Sequence, residues 1–160
     1  MMQFKYRIYT FIVMLFFLAS CKQEQDQKED LTLKVNTFMN AWHASAADAD
    51  FESYFNKIDG FYIGTDASEN WTKEAFATFS KPYFNKKTTW NFKTMSRNIY
   101  FSKDKSVIWF DELLTTWMGV CRGSGVLEKE KNEWKIKHYV LSLTVPNDKM
   151  KQVIKINKGN

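Results

Sequence analysis

Val107-Ile108-Trp109-Phe110-Asp111-Glu112-Leu113-Leu114-Thr115-Thr116-Trp117-Met118 carries large apolar side chains at both odd and even positions. Alternate side chains of a strand point to opposite faces, so this stretch reads as one long strand with apolar residues on both sides. One face would meet helices and the other a second surface. Asp104-Lys105 supplies a hairpin turn before it. Arg122 to Lys129 reads as the next strand, Lys131-Asn132 as the next turn, and Trp134 to Val145 as the last long strand, ended by Pro146-Asn147-Asp148. Upstream, alternation begins at Thr88, with Trp90-Asn91-Phe92-Lys93 and then Ile99-Tyr100-Phe101. Met150, Val153 and Ile154 allow a brief amphipathic helix after the last strand.

Before Thr88 the period is helical. Leu31, Val35, Phe38, Met39, Trp42 and Ala46 recur at spacings of three and four and form one stripe. Asp48 or Asp50 can cap a short helix presenting Phe51, Tyr54 and Phe55. After Asp59-Gly60, Phe61-Tyr62-Ile63 is a short strand. Thr72 can cap a third helix whose Phe76, Phe79 and Tyr83 share a face, with Pro82 kinking it or marking its last turns. Helices first and antiparallel hairpins afterwards define an α+β layout, with N-terminal helices on one side of a curved antiparallel sheet.

The first thirty residues are of another kind. Lys5 and Arg7 precede the apolar run Phe11 to Leu18, which ends on Ala19-Ser20-Cys21. That is the charge, core and small-residue cleavage site of a signal peptide, and the run is shorter than the roughly 20 apolar residues of a membrane span. Leu18-Ala19-Ser20-Cys21 resembles the lipobox of bacterial lipoproteins. The resemblance implies cleavage before Cys21, lipidation of its thiol, and anchorage in the cell envelope at the outer membrane, with the periplasmic or surface face left open. Residues 21–30 are a lipidated cysteine and a polar stretch with no apolar side chain to offset the entropy of ordering, expected to be a disordered tether. Their acidic residues resemble the surface-export signals of some Bacteroidetes lipoproteins.

Residues 31–160 are the size of one domain. Removing residues 1–20 takes Lys5 and Arg7 and no acid, so the net charge falls from +5 to +3. The remaining lysines are scattered, which excludes a basic nucleic-acid surface. With Cys21 lipidated, Cys121 is the one remaining cysteine and no intramolecular disulfide can form. His43 and His138 are far apart and make no metal motif, so neither a metal nor a cofactor is expected. Aromatic residues make up 17% of the chain and reach every segment, which implies a dense core or a core around an aromatic cavity.

Trp109-Phe110-Asp111-Glu112, Arg122-Gly123-Ser124-Gly125-Val126-Leu127 and Trp134-Lys135-Ile136-Lys137-His138-Tyr139, in this order of elements, resemble the SnoaL-like branch of the nuclear transport factor 2-like superfamily. The resemblance covers Leu31 to Asp148. It implies a cone-shaped, cystatin-like fold, a bent sheet wrapped round a helix layer with a hollow interior, and often a dimer through the outer sheet face. It does not transfer a function, because the superfamily includes isomerases, cyclases, dehydratases, transport factors and binding modules.

On the long strand Asp111 shares a parity with Val107, Trp109, Leu113, Thr115 and Trp117, and is expected among apolar neighbours inside the cone. Arg122 on the adjacent strand and His138 on the last one could approach it. Asp111 and His138 are then candidate catalytic acid-base residues, and the alternative is an Asp111–Arg122 structural ion pair with His138 a wall residue. Trp42, Tyr62, Trp71, Trp109, Trp117 and Arg122 are candidate ligand-binding residues, since aromatic walls with a few polar groups are how small-molecule sites are built. His43 is expected at the edge of its helix face, on the surface. Gly123-Ser124-Gly125 lacks the context of a phosphate loop and permits sheet bending or close backbone approach. Ile108, Phe110, Leu114 and Met118 would form an exposed apolar patch suited to a homodimer. Three functions follow: a lipid-anchored binder of a small apolar or amphipathic ligand, an acid-base enzyme of isomerase, dehydratase or hydrolase type, or a protein-interaction domain.

Overall fold

The computed structural model describes residues 2–159 apart from Thr88 and Asn132, with side chains described from Gln25 onward. The side chains of the signal segment and of Cys21 therefore lie outside the described set. The chain divides into two compact units at Thr37/Phe38.

The first unit is part of helix α1, Met2–Ala47. Residues 22–30, expected to be disordered, are helical here, with Gln25 to Asp30 exposed. Pairs one turn apart support that conformation: Gln25 bonds Glu29, and Lys34 Nζ lies 2.6 Å from Asp30 Oδ2.

The second unit contains the end of α1, then α2 (Phe51–Asn56), β1 (Ile58–Ile63), β2 (Asn70–Thr72) and α3 (Lys73–Asn85). Strands β3 (Lys93–Phe101), β4 (Val107–Thr116), β5 (Gly119–Glu130) and β6 (Glu133–Leu143) follow, and α4 (Met150–Asn157) ends the chain. Asp50 caps α2 by accepting from the Ser53 N–H, and Thr72 caps α3 by accepting from the Ala75 N–H. Pro82 stands in the last turn of α3. The six strands form one curved sheet in the order β2-β1-β6-β5-β4-β3, antiparallel throughout except for the parallel pair β1 and β6. Register shifts at Ile58/Phe61, Thr94/Ser96 and Val126/Leu127 bend it. Lys105 and Lys131 adopt positive φ at the turns before and after the central hairpin.

The core lies on the inner face of the sheet, where Met39, Trp42 and Ala46 of α1, Tyr54 and Phe55 of α2, and Phe76 and Phe84 of α3 are buried. Strand β4 turns its even positions to that core: Ile108, Phe110, Glu112 and Leu114 are all at most 3% exposed. This reverses the expected facing of the strand. The apolar set expected outside is inside, and Trp109 and Asp111 are on the outer face. The cause is at Glu112, whose charge finds its partners only in the interior.

Candidate functional site

Two features of the second unit concentrate chemistry: a buried polar cluster on β4 and an aromatic cavity beside it. Glu112 is completely buried, and four donors converge on its carboxylate. Oε1 lies 2.9 Å from His43 Nε2 and accepts from the Tyr139 hydroxyl at 2.9 Å. Oε2 accepts from Arg97 Nε at 3.0 Å and Nη2 at 2.7 Å, the two-pronged geometry in which guanidinium grips a carboxylate hardest. Arg97 faces Glu112 from β3, where the two residues are direct partners, and it also donates to Asn40 of α1 and to Thr94. Burial pushes the Glu112 carboxyl up, but the hydrogen bond and charge of His43 and those of Arg97 outweigh it and hold the group below the usual range. The same burial, with the Glu112 charge added, raises Tyr139 well above an ordinary phenol. A carboxylate so fully engaged is a structural anion and a poor proton acceptor.

The cluster needs room, and Gly123 provides it. A Cβ there would stand 2.2 Å from the Tyr139 hydroxyl and 3.0 Å from Glu112 Cγ. The Gly-Ser-Gly segment therefore allows close approach beneath Tyr139, as its composition suggests.

The cavity, about 210 Å³, is bounded by α3, β1, β2, the segment at Trp90 to Phe92 and the β4–β5 turn. Its rings form a belt. Trp71 stacks on Phe79 at 5.1 Å, Phe79 leans on Tyr83 at 5.5 Å, Tyr83 on Trp90 at 6.0 Å, Trp90 stacks on Phe76 at 5.7 Å and Phe76 on Tyr62 at 4.0 Å. The two ends of this row, Tyr62 and Trp71, are register partners on β1 and β2. Gly64, Thr65, Phe92, Trp117, Met118 and Leu141 complete the wall, and among the described residues Glu69 is the charged one on it. Tyr62 is buried and its hydroxyl is raised far above its ordinary range, by burial first and by the Glu69 charge second. The cavity and the cluster touch through ring contacts: Tyr62 stacks on Tyr139 at 5.5 Å, and Phe92 meets His43 edge-on at 6.4 Å.

The structure disperses the residues expected from sequence. Tyr62, Trp71 and Trp117 line the cavity, Trp117 from an exposed turn. Trp42 belongs to the core, stacked on Tyr54 at 5.0 Å and edge-on to Tyr139 at 4.8 Å. Trp109 is 45% exposed on the outer face, stacked on Tyr100. Asp111 is also outside, where Asn98 and Tyr100 donate to it and Arg122 Nη1 lies 3.6 Å away. Its expected place inside the cone is corrected: parity sends it out when Glu112 goes in. Arg122 is likewise exposed, so the Asp111–Arg122 pair is a surface one. His138 is half-buried on β6 and shares the outer face with Val126 and Trp109, its neighbours across β5 and β4, so Asp111 and His138 have no cavity between them. His43, expected on the surface, is 6% exposed and holds Glu112. Cys121 is free and buried, its Sγ 3.5 Å from Thr116 Oγ1. Among the described residues no group of His, Cys, Asp and Glu could hold a metal ion.

Sequence reasoning missed Glu112, Arg97 and the inward His43. The signal for His43 was present: it stands four residues after Met39 and three before Ala46, on the buried stripe itself.

A curved sheet over helices, closed on an aromatic cavity, defines a small pocketed α+β domain. The SnoaL-like domain profile matches residues 35–146, and the chain belongs to that family. Solved structures share the fold. A nuclear transport factor 2-like protein of unknown function from Pseudomonas putida is 10% identical, with a TM-score of 0.60 over 72% of this chain and 87% of that one. A Nostoc punctiforme protein of unknown function with a cystatin-like fold is 12% identical, with a TM-score of 0.59 over 71% and 90%. A Streptomyces avermitilis protein from the nuclear transport factor 2-like family, provisionally assigned as a dehydratase, is 9% identical, with a TM-score of 0.62 over 74% and 99%. At such identities the likeness extends to the fold alone. No curated protein matches the chain.

Proposed function

We propose that this protein is a lipid-anchored binding module, held to the outer membrane through Cys21, that takes a small apolar or amphipathic ligand into the aromatic cavity of its SnoaL-like domain. The observation that carries this reading is the belt of six rings round a space of about 210 Å³. Pockets for drug-sized ligands run from about 300 to 1,000 Å³, so the occupant is smaller than a polycyclic molecule.

Binding is favoured over acid-base catalysis by the engagement of the interior carboxylate. Glu112 has four donors on it and is absent from the cavity wall. General acid-base work needs a group that can exchange a proton with substrate at hydrogen-bond distance, and Asp111 and His138 face away from the cavity. Among the described residues the one carboxylate on the wall, Glu69, is held by the Asp66 N–H and has no second acid-base group beside it other than phenols.

Quenching of tryptophan fluorescence by small apolar probes tests the proposal. Trp71→Leu should weaken binding at least fivefold and Trp109→Leu, on the outer face, should leave it unchanged. Equal loss in both variants, or no loss in either, would remove the cavity from consideration.

A further inference from the structure

We infer that the cavity is selective for an organic cation, a quaternary ammonium group or a similarly alkylated amine. The inference rests on the binding reading above and names the ligand class of that same site.

Three observations converge on it. First, the wall is overwhelmingly aromatic, and an aromatic ring attracts a cation lying over its face within about 6 Å of its centroid. A group at the centre of so small a cavity is within reach of several rings at once.

Second, the charged member of the wall is an acid. No Lys or Arg lines the cavity among the described residues, although bases outnumber acids 23 to 18 in the chain. A site for a carboxylate or phosphate would carry positive charge on its wall; this one has the neutral donors of Thr65, the tyrosines and the tryptophans, and its charge is the negative one of Glu69.

Third, the placement of Glu69 is built into the loop between β1 and β2. Its Oε2 accepts from the Asp66 N–H at 3.2 Å, and its own carbonyl accepts from the Gly64 N–H at 2.9 Å. The side chain lies directly over Gly64, where a Cβ would stand 2.0 Å from Oε2. A side chain at position 64 would push the Glu69 side chain from this place on the cavity wall, where Glu69 is half-buried and its charge acts on the buried Tyr62. A neutral apolar ligand would gain nothing from this arrangement and would face the desolvation of Glu69. A cation turns the same carboxylate into a counter-charge, and methyl groups on nitrogen let it shed water easily enough to enter the ring belt.

The test compares two probes of similar shape on the full chain in a maltoside detergent, tetramethylammonium chloride and neutral neopentyl alcohol, by calorimetry and tryptophan fluorescence. Tetramethylammonium should bind at least tenfold more tightly. Glu69→Gln should weaken it about tenfold while leaving the alcohol unchanged, with an unaltered near-ultraviolet dichroism spectrum. If Glu69→Gln disturbs the fold, Thr65→Lys at the exposed rim makes the same comparison by adding a repelling charge. Equal affinity for the two probes, or equal losses in the variant, would overturn cation selectivity and leave a general apolar pocket. Binding of neither probe would overturn the cavity reading as well.

Discussion

Replacing Glu112 by Gln removes one charge from the interior and changes almost no volume. The Arg97 side chain, 2% exposed, keeps its bonds to Asn40 and Thr94 but loses its counter-ion. Breaking one partner of a buried ion pair costs about 3–5 kcal/mol, because the remaining charge is left desolvated. The Gln amide can still accept from two of the four donors with its oxygen, while its NH₂ meets the other donors head-on, so the upper half of that range is expected. At about 4 °C per kcal/mol for a domain of this size, the melting temperature falls by about 16–20 °C. Urea titration followed by tryptophan fluorescence gives the free energy directly. Arg97→Met combined with Glu112→Leu removes both charges and should recover more than half of the loss. The acid limb supplies a second readout. Because the folded pKa of Glu112 lies below its ordinary value of 4.5, its contribution is fully present above pH 4.5 and is lost as pH falls through the lower folded value. Glu112→Gln should flatten that limb. A loss below about 1 kcal/mol, or an unchanged acid limb, would refute the buried-anion reading.

Three further outcomes are expected. Gly123→Ala should drive the Tyr139 hydroxyl off Glu112 and cost about 1–3 kcal/mol by overpacking, seen as a lower urea midpoint and altered near-ultraviolet dichroism; an unchanged midpoint would mean Tyr139 moves freely. A homodimer is proposed through the outer sheet face, where Phe61, Tyr100 and Trp109 are 52%, 43% and 45% exposed; sedimentation should give twice the 19.0 kDa of the whole chain, less the signal segment, and Trp109→Glu should give monomers. Cys21→Ala should abolish membrane retention and labelling by a fatty-acid analogue, and equal labelling of both forms would remove the anchor.

The order of elements was legible because it rests on local physics. The period changes from helical to alternating near Thr88, Asp50 and Thr72 are good caps, and the turns at Lys105 and Lys131 are short polar breaks. The facing of β4 was not legible, for a reason visible in its composition: Trp109, Asp111 and Leu113 on one parity nearly match Phe110, Glu112 and Leu114 on the other. Two apolar faces with one acid each give equal patterns, and a register slip of one position exchanges them. The decision is made at long range, by Arg97 on β3, His43 on α1 and Tyr139 on β6. Of the aromatic candidates, Tyr62, Trp71 and Trp117 reached the cavity, whereas Trp42 and Trp109 were separated from them by helix packing and by that same parity.

The cluster and the cavity divide the polar and apolar work of the interior between them. Tyr139 is the hinge of that division: its hydroxyl faces Glu112, and its ring supports Tyr62, part of the cavity wall. On the other side His43 grips Glu112 with Nε2 while its ring meets Phe92, another wall residue. Fixing one carboxylate therefore orients two rings of the binding site without exposing that carboxylate to a ligand. Preorganised walls lower the entropy lost when a ligand is held, and a buried ion pair that contributes little net stability still earns its place if it keeps those walls in position. The interior anion is in this way a scaffold for recognition, and Glu69 at the rim is left as the charge that a ligand meets.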